Sequence, residues 1–107
     1  MAVSDAAAAT PARRIFAGMK TAVIVTTYNR PDALAAVLAA YEAQTDRDFE
    51  LVVADDGSMS QTGAVIQAFQ RRSQLPVRHV WQEDRGFRAA AIRNRAAATT
   101  TAEYIIF

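Results

Sequence analysis

The chain has 107 residues, 51% of them hydrophobic, enough for one domain with a core but not for two of ordinary size. Twelve basic and eleven acidic residues leave a net charge of +1, which excludes the strong basic field of a nonspecific nucleic-acid binder. With no cysteine, disulfide scaffolds, thiolate metal sites and cysteine nucleophiles are excluded as well.

No apolar run approaches the roughly 18 residues that cross a bilayer. The abundance of alanine and the preference for Arg over Lys read as nucleotide bias in the genome. Residues 1–18 are rich in Ala, Ser, Thr and Pro and lack a period. Arg13 and Arg14 are not followed by the apolar stretch of an export signal. The expectation for residues 1–20 is an extension segment, or a start codon set upstream of Met19, with a short packed helix as the alternative.

From residue 21 the pattern becomes regular. Ala22-Val23-Ile24-Val25 is a short β-branched run of the kind that forms a strand buried on both faces. Thr26 to Arg30 is a polar loop, and Pro31 opens a helix where its missing N–H costs nothing. Leu34, Val37, Leu38 and Tyr41 make one apolar stripe on that helix. Phe49 to Ala54 is a second strand, Asp55-Asp56-Gly57-Ser58 a turn, and a helix follows from about Ser60 with Val65, Ile66 and Phe69 inward. Val77 to Trp81 is a third strand and Gln82 to Gly86 a polar loop. The alanines of 89–98 favour a third helix, and Glu103 to Phe107 reads as a fourth strand.

Strand and helix alternate three times, which predicts an α/β three-layer sandwich with a mostly parallel sheet and right-handed crossovers. Ligands of such sheets bind at the carboxyl ends of the strands. The loops TTYNR, DDGS and QEDRG are therefore where chemistry is expected. No metal-ligand cluster, Walker loop or GxGxxG motif is present, which argues against a P-loop enzyme and an ordinary dinucleotide fold.

Three of these pieces together resemble the N-terminal half of inverting, family 2 glycosyltransferases of the GT-A fold. They are Val23 to Arg30, Leu51 to Ser58, and Asp84-Arg85-Gly86-Phe87 followed by Ala91-Ile92-Arg93-Asn94. The last is most similar to bacterial polysaccharide and chondroitin-polymerase-like transferases. The resemblance covers residues 21–107 and implies a Rossmann-like nucleotide-sugar-binding half with strand order 3-2-1-4. It implies a nucleotide-sugar donor, most often a UDP-sugar, and a glycan acceptor. It further implies a cytoplasmic or membrane-peripheral enzyme.

By the same resemblance Thr26 and Tyr28 match positions that contact base and ribose, Asp56 the acceptor of a base hydrogen bond, and Arg93 a neighbour of the nucleotide pocket. Chemistry agrees with these roles. A fixed carboxylate accepts from the N3–H of uracil and rejects cytosine, whose N3 is itself an acceptor. A Tyr ring packs on a flat base, and Arg presents a planar fork to phosphate or base oxygens.

Other roles remain open for several of them. Tyr28 can simply cover the sheet end, and Arg93 can be a solvated helix residue. Asp55 and Gly57 read as turn formers, and Asn94 as a local hydrogen-bonder. His79 reads as a packing residue, and Glu83 and Asp84 as loop acids, with Asp84 near the pocket.

The family's DxD motif, which holds Mg²⁺ or Mn²⁺ and the donor diphosphate, has no counterpart up to Phe107, and neither does the general base. The expectation is a truncated transferase that binds no metal by itself, is inactive alone, and self-associates through an exposed face. Two alternatives are a noncatalytic nucleotide-binding or interaction domain and a sugar nucleotidyltransferase-like enzyme. Against the latter, TTYNRPD lacks the usual Gly-rich first loop.

Overall fold

A computed structural model describes residues 20–107. Expectations for residues 1–19 lie outside the described residues. The elements run β1 (Thr21–Thr27), α1 (Pro31–Glu42), β2 (Phe49–Asp55), α2 (Ser60–Arg72), β3 (Val77–Trp81), α3 (Ala89–Ala97) and β4 (Tyr104–Ile106). The four strands form one sheet in the order β3-β2-β1-β4, every neighbouring pair parallel.

The alternation of side chains along a strand divides the core in two. Val23, Leu51 and Val53 face α1 and α2, where they pack with Leu34, Leu38, Ile66 and Phe69. Ile24, Val52 and Ala54 face the other way, onto Ile92 and Ala96 of α3. This is the expected three-layer arrangement, with β2 buried along its whole length. A central parallel strand covered on both faces has no polar side to show, which is why LVVA reads as a continuous apolar run.

The differences from the expected elements are small and physical. β1 continues through Thr26 and Thr27, because both stay in register with Ala54 and Asp55 of β2. In α1, Leu34 and Leu38 are buried while Val37 is exposed. In α2, Thr62 takes a buried place beside Ile66 and Phe69, and Val65 is partly buried against the same cluster. β4 is shorter than the expected five residues, pairing with β1 from Tyr104 to Ile106, and its side chains are exposed.

A buried acid ties the lower half of the sheet together. Glu50 of β2 is almost fully buried on the α3 face. It accepts from the Arg78 guanidinium on β3 and from the Thr100 hydroxyl, while Arg78 also donates to the Thr99 carbonyl at 2.6 Å. Burying a carboxylate is costly unless it is paired, and this one is.

Candidate functional site

The site is a product of register. Thr27, Asp55 and Trp81 end their strands at one height, because Thr27 pairs with Asp55 and Asp55 with Trp81. The hydrogen bonding runs one residue further, from Asp56 N–H to the Thr27 carbonyl (3.1 Å) and from Gln82 N–H to the Asp55 carbonyl (3.1 Å). Tyr28, Asp56 and Gln82 therefore leave the sheet side by side, at its carboxyl edge.

Asp56 is the hub. It is 6% exposed, and each carboxylate oxygen is held: Oδ1 accepts from Gln82 Nε2 at 2.7 Å and Oδ2 from the Arg88 backbone N–H at 2.8 Å. These donors, the Gln82 amide first, hold the Asp56 carboxyl below the ordinary carboxylate value against the opposing effect of burial. Because Arg88 is the residue before α3, the carboxylate also sits at a helix N-terminus, where negative charge is favoured. A carboxylate offers about four lone-pair positions, so two such bonds leave it able to accept from a ligand.

The turn that presents Asp56 is built by its neighbours. Asp55 is fully buried; its Oδ1 accepts from Ser58 N–H at 2.8 Å and its Oδ2 lies 2.8 Å from His79 Nε2. Asp55 is thus a turn former, as expected, and His79 does more than pack, since it holds this carboxylate. Gly57 adopts φ +97°, and a Cβ there would meet the backbone N and Cα of Asp84 at 2.5 Å. Glycine is needed both for the conformation and for the close approach of the QEDRG loop.

A reciprocal pair stitches the first loop to the second. Asn29 donates its backbone N–H to Ser58 Oγ and accepts from Met59 N–H at its Oδ1, both at 2.8 Å. Asn29 adopts φ +49°, a conformation that Asn tolerates better than most residues. Trp81 donates its indole N–H to the Ser58 carbonyl at 3.1 Å.

Two adjoining cavities open here. One, of about 140 Å³, is lined by Tyr28, Asp56, Asp84, Gly86 and Phe87. The second, of about 200 Å³, is lined by Thr26, Thr27, Tyr28, Asp56, Phe87, Ala89 and Ile92. Tyr28 donates its hydroxyl to Asp84 Oδ2 at 2.8 Å, and that carboxylate holds the phenol above its ordinary pKa.

Of the four candidate residues, Thr26, Tyr28 and Asp56 thus meet around one opening. Arg93 is half-buried on α3 and lines neither cavity. Asn94 is exposed, with no side-chain hydrogen bond among the described residues. Glu83 pairs with Arg85 at 2.9 Å on the surface, whereas Asp84 turns toward the cavity. Gln82, Asn29 and the Arg88 N–H were not singled out by sequence reasoning. For Gln82 a signal existed: in a parallel sheet the residue after β3 stands beside the residue after β2. Among the described residues, no three His, Cys, Asp or Glu side chains gather as a metal site.

Comparison with known proteins agrees with this architecture. The family model for glycosyl transferase family 2 matches residues 22–107. The chain is 39% identical over 87 residues to validoxylamine A glucosyltransferase of Streptomyces hygroscopicus subsp. jinggangensis, a match covering 79% of this chain and 20% of that protein. It is 38% identical over 84 residues to hyaluronan synthase of Pasteurella multocida, covering 78% of this chain and 8% of the synthase. It is 33% identical over 84 residues to chondroitin synthase of Escherichia coli, covering 78% and 12%. The chain thus spans a fifth or less of the length of each of these relatives. The parallel 3-2-1-4 sheet, the carboxyl-edge opening around Asp56 and a match over nearly all the described residues lead to one assignment: the chain belongs to glycosyl transferase family 2.

Proposed function

We propose that this chain binds the nucleotide portion of a nucleotide-sugar donor, with a UDP-sugar as the donor, for transfer of the sugar to a glycan acceptor. The observation that carries the reading is Asp56. It is a buried acceptor with its charge secured by Gln82 and Arg88, set beside Tyr28 and Thr26 at the carboxyl edge of a parallel sheet. A carboxylate that only accepts selects bases with a ring N–H, so uracil fits and cytosine does not. Tyr28 offers a ring face to the base, and Thr26 a hydroxyl to base or ribose. The names of the relatives, a glucosyltransferase and two polysaccharide synthases, support a sugar donor and a glycan product.

Calorimetric titration of the full-length protein with UDP and CDP tests this. UDP is expected to bind more tightly than CDP. A charge-assisted hydrogen bond is worth about 1.5–3 kcal/mol. Asp56→Ala should therefore weaken UDP binding roughly ten- to hundredfold, and Asp84→Ala by less. Equal UDP affinity in the unaltered protein and Asp56→Ala would sink the assignment.

A further inference from the structure

Phe87 is 94% exposed, more than any other large hydrophobic residue described. A single exposed apolar side chain is ordinary, but this one is held in place. On its N-terminal side, Asp84 accepts from the Tyr28 hydroxyl and, at 3.3 Å, from Gly86 N–H. On its C-terminal side, Arg88 N–H is fixed to Asp56. Between these two anchors Gly86 turns the chain at φ +84°, with no atom within 4 Å of where its Cβ would lie. An aromatic ring is thus presented to solvent from a tethered backbone. It lines both cavities, each time with Tyr28 and Asp56.

The geometry points to Phe87 as a second aromatic contact for the nucleobase, acting with Tyr28 while Asp56 reads the ring N–H. This rests on the donor-nucleotide reading and adds to it a residue that supplies affinity. The division of labour is chemical. Stacking accepts any flat heterocycle, because every base has a π-face, and supplies affinity. The carboxylate supplies the choice among bases. An exposed ring on an anchored loop contributes without the cost of ordering a mobile segment.

The test is UDP titration of the full-length protein with Phe87→Ala, Phe87→Leu, Phe87→Tyr and Phe87→Trp, alongside thermal unfolding of each. Base–aromatic stacking predicts a loss of about five- to hundredfold in UDP affinity for Phe87→Ala. Phe87→Tyr and Phe87→Trp should retain affinity, Phe87→Leu should not, and unfolding midpoints should stay close together. Unchanged affinity in Phe87→Ala, or Leu serving as well as Tyr, overturns the inference while the Asp56 reading stands. A lowered unfolding midpoint in Phe87→Ala with unchanged affinity marks a ring that other protein covers, and overturns it too. No UDP binding by the unaltered protein removes the donor-nucleotide reading, and this inference with it.

Discussion

Asp55 and Asp56 are consecutive and both buried, yet their carboxylates serve separate partners. Asp55 faces His79 and the Ser58 N–H, and Asp56 faces Gln82 and the Arg88 N–H. Successive side chains of extended backbone point to opposite sides, so the pair divides the end of β2 between a structural face and an open one.

Asp55→Ala removes the acceptor for Ser58 N–H and the partner of His79, both in a packed place. Leaving buried polar groups unsatisfied costs about 1–3 kcal/mol. Urea unfolding should show that loss, with Asp55→Asn recovering part of it because an amide oxygen still closes the turn. Asp55→Ala matching the unaltered stability would remove the structural role.

Asp56 makes stability depend on acid. Its folded carboxyl lies below the ordinary value of 3.8, chiefly through the Gln82 amide and then the Arg88 N–H. The folded state therefore favours the ionised form. That contribution is complete above the unfolded value and is lost as the pH falls through the lowered folded value. Gln82→Leu should shrink this acid-dependent part, visible as a flatter fall in unfolding midpoint below about pH 4. An identical acid limb in both proteins would contradict it.

Gly57→Ala faces a positive φ and a 2.5 Å encounter with the Asp84 backbone. Gly86→Ala faces only the positive φ, with open space around it. Backbone strain of this kind costs about 1–3 kcal/mol. The Gly57 variant should therefore lose clearly more stability than the Gly86 variant in parallel denaturant titrations. Equal losses would mean that the approach of the QEDRG loop is soft.

Glu50→Ala strips the buried partner from Arg78 and from the Thr100 hydroxyl. Hydrogen bonds to charged groups are worth about 1.5–3 kcal/mol, and the loss should fall in that range. In Glu50→Leu with Arg78→Leu, the combined cost should be less than the sum of the single changes, as a double-mutant cycle measures. Simple additivity would show the pair to be uncoupled.

The sequence of LVVADDGS carried both the central strand and the acid at its end, because a doubly covered strand and a turn each leave a local mark. The strand order 3-2-1-4 came from family resemblance, since periodicity alone says nothing about neighbours. Asn29–Ser58, Asp55–His79 and Tyr28–Asp84 left no such mark. Each joins residues far apart in sequence, and polar pairs have no period. Thr26 and Arg93 both carry a nucleotide role by the family resemblance. Their separation appears only when β1 is seen to end beside β2 while Arg93 lies a turn into α3.

The strand order also governs how the domain can assemble. β1, β2 and β3 are joined by two successive strand–helix–strand units, so each new strand docks beside the one just made. β4 instead returns to the far side of β1, pairing Tyr104 with Thr21 from opposite ends of the described chain. Closing that span costs more chain entropy than the two nearer crossovers. One edge of β1 therefore stays open to other strands until β4 arrives, making the growing chain most prone to mispairing there.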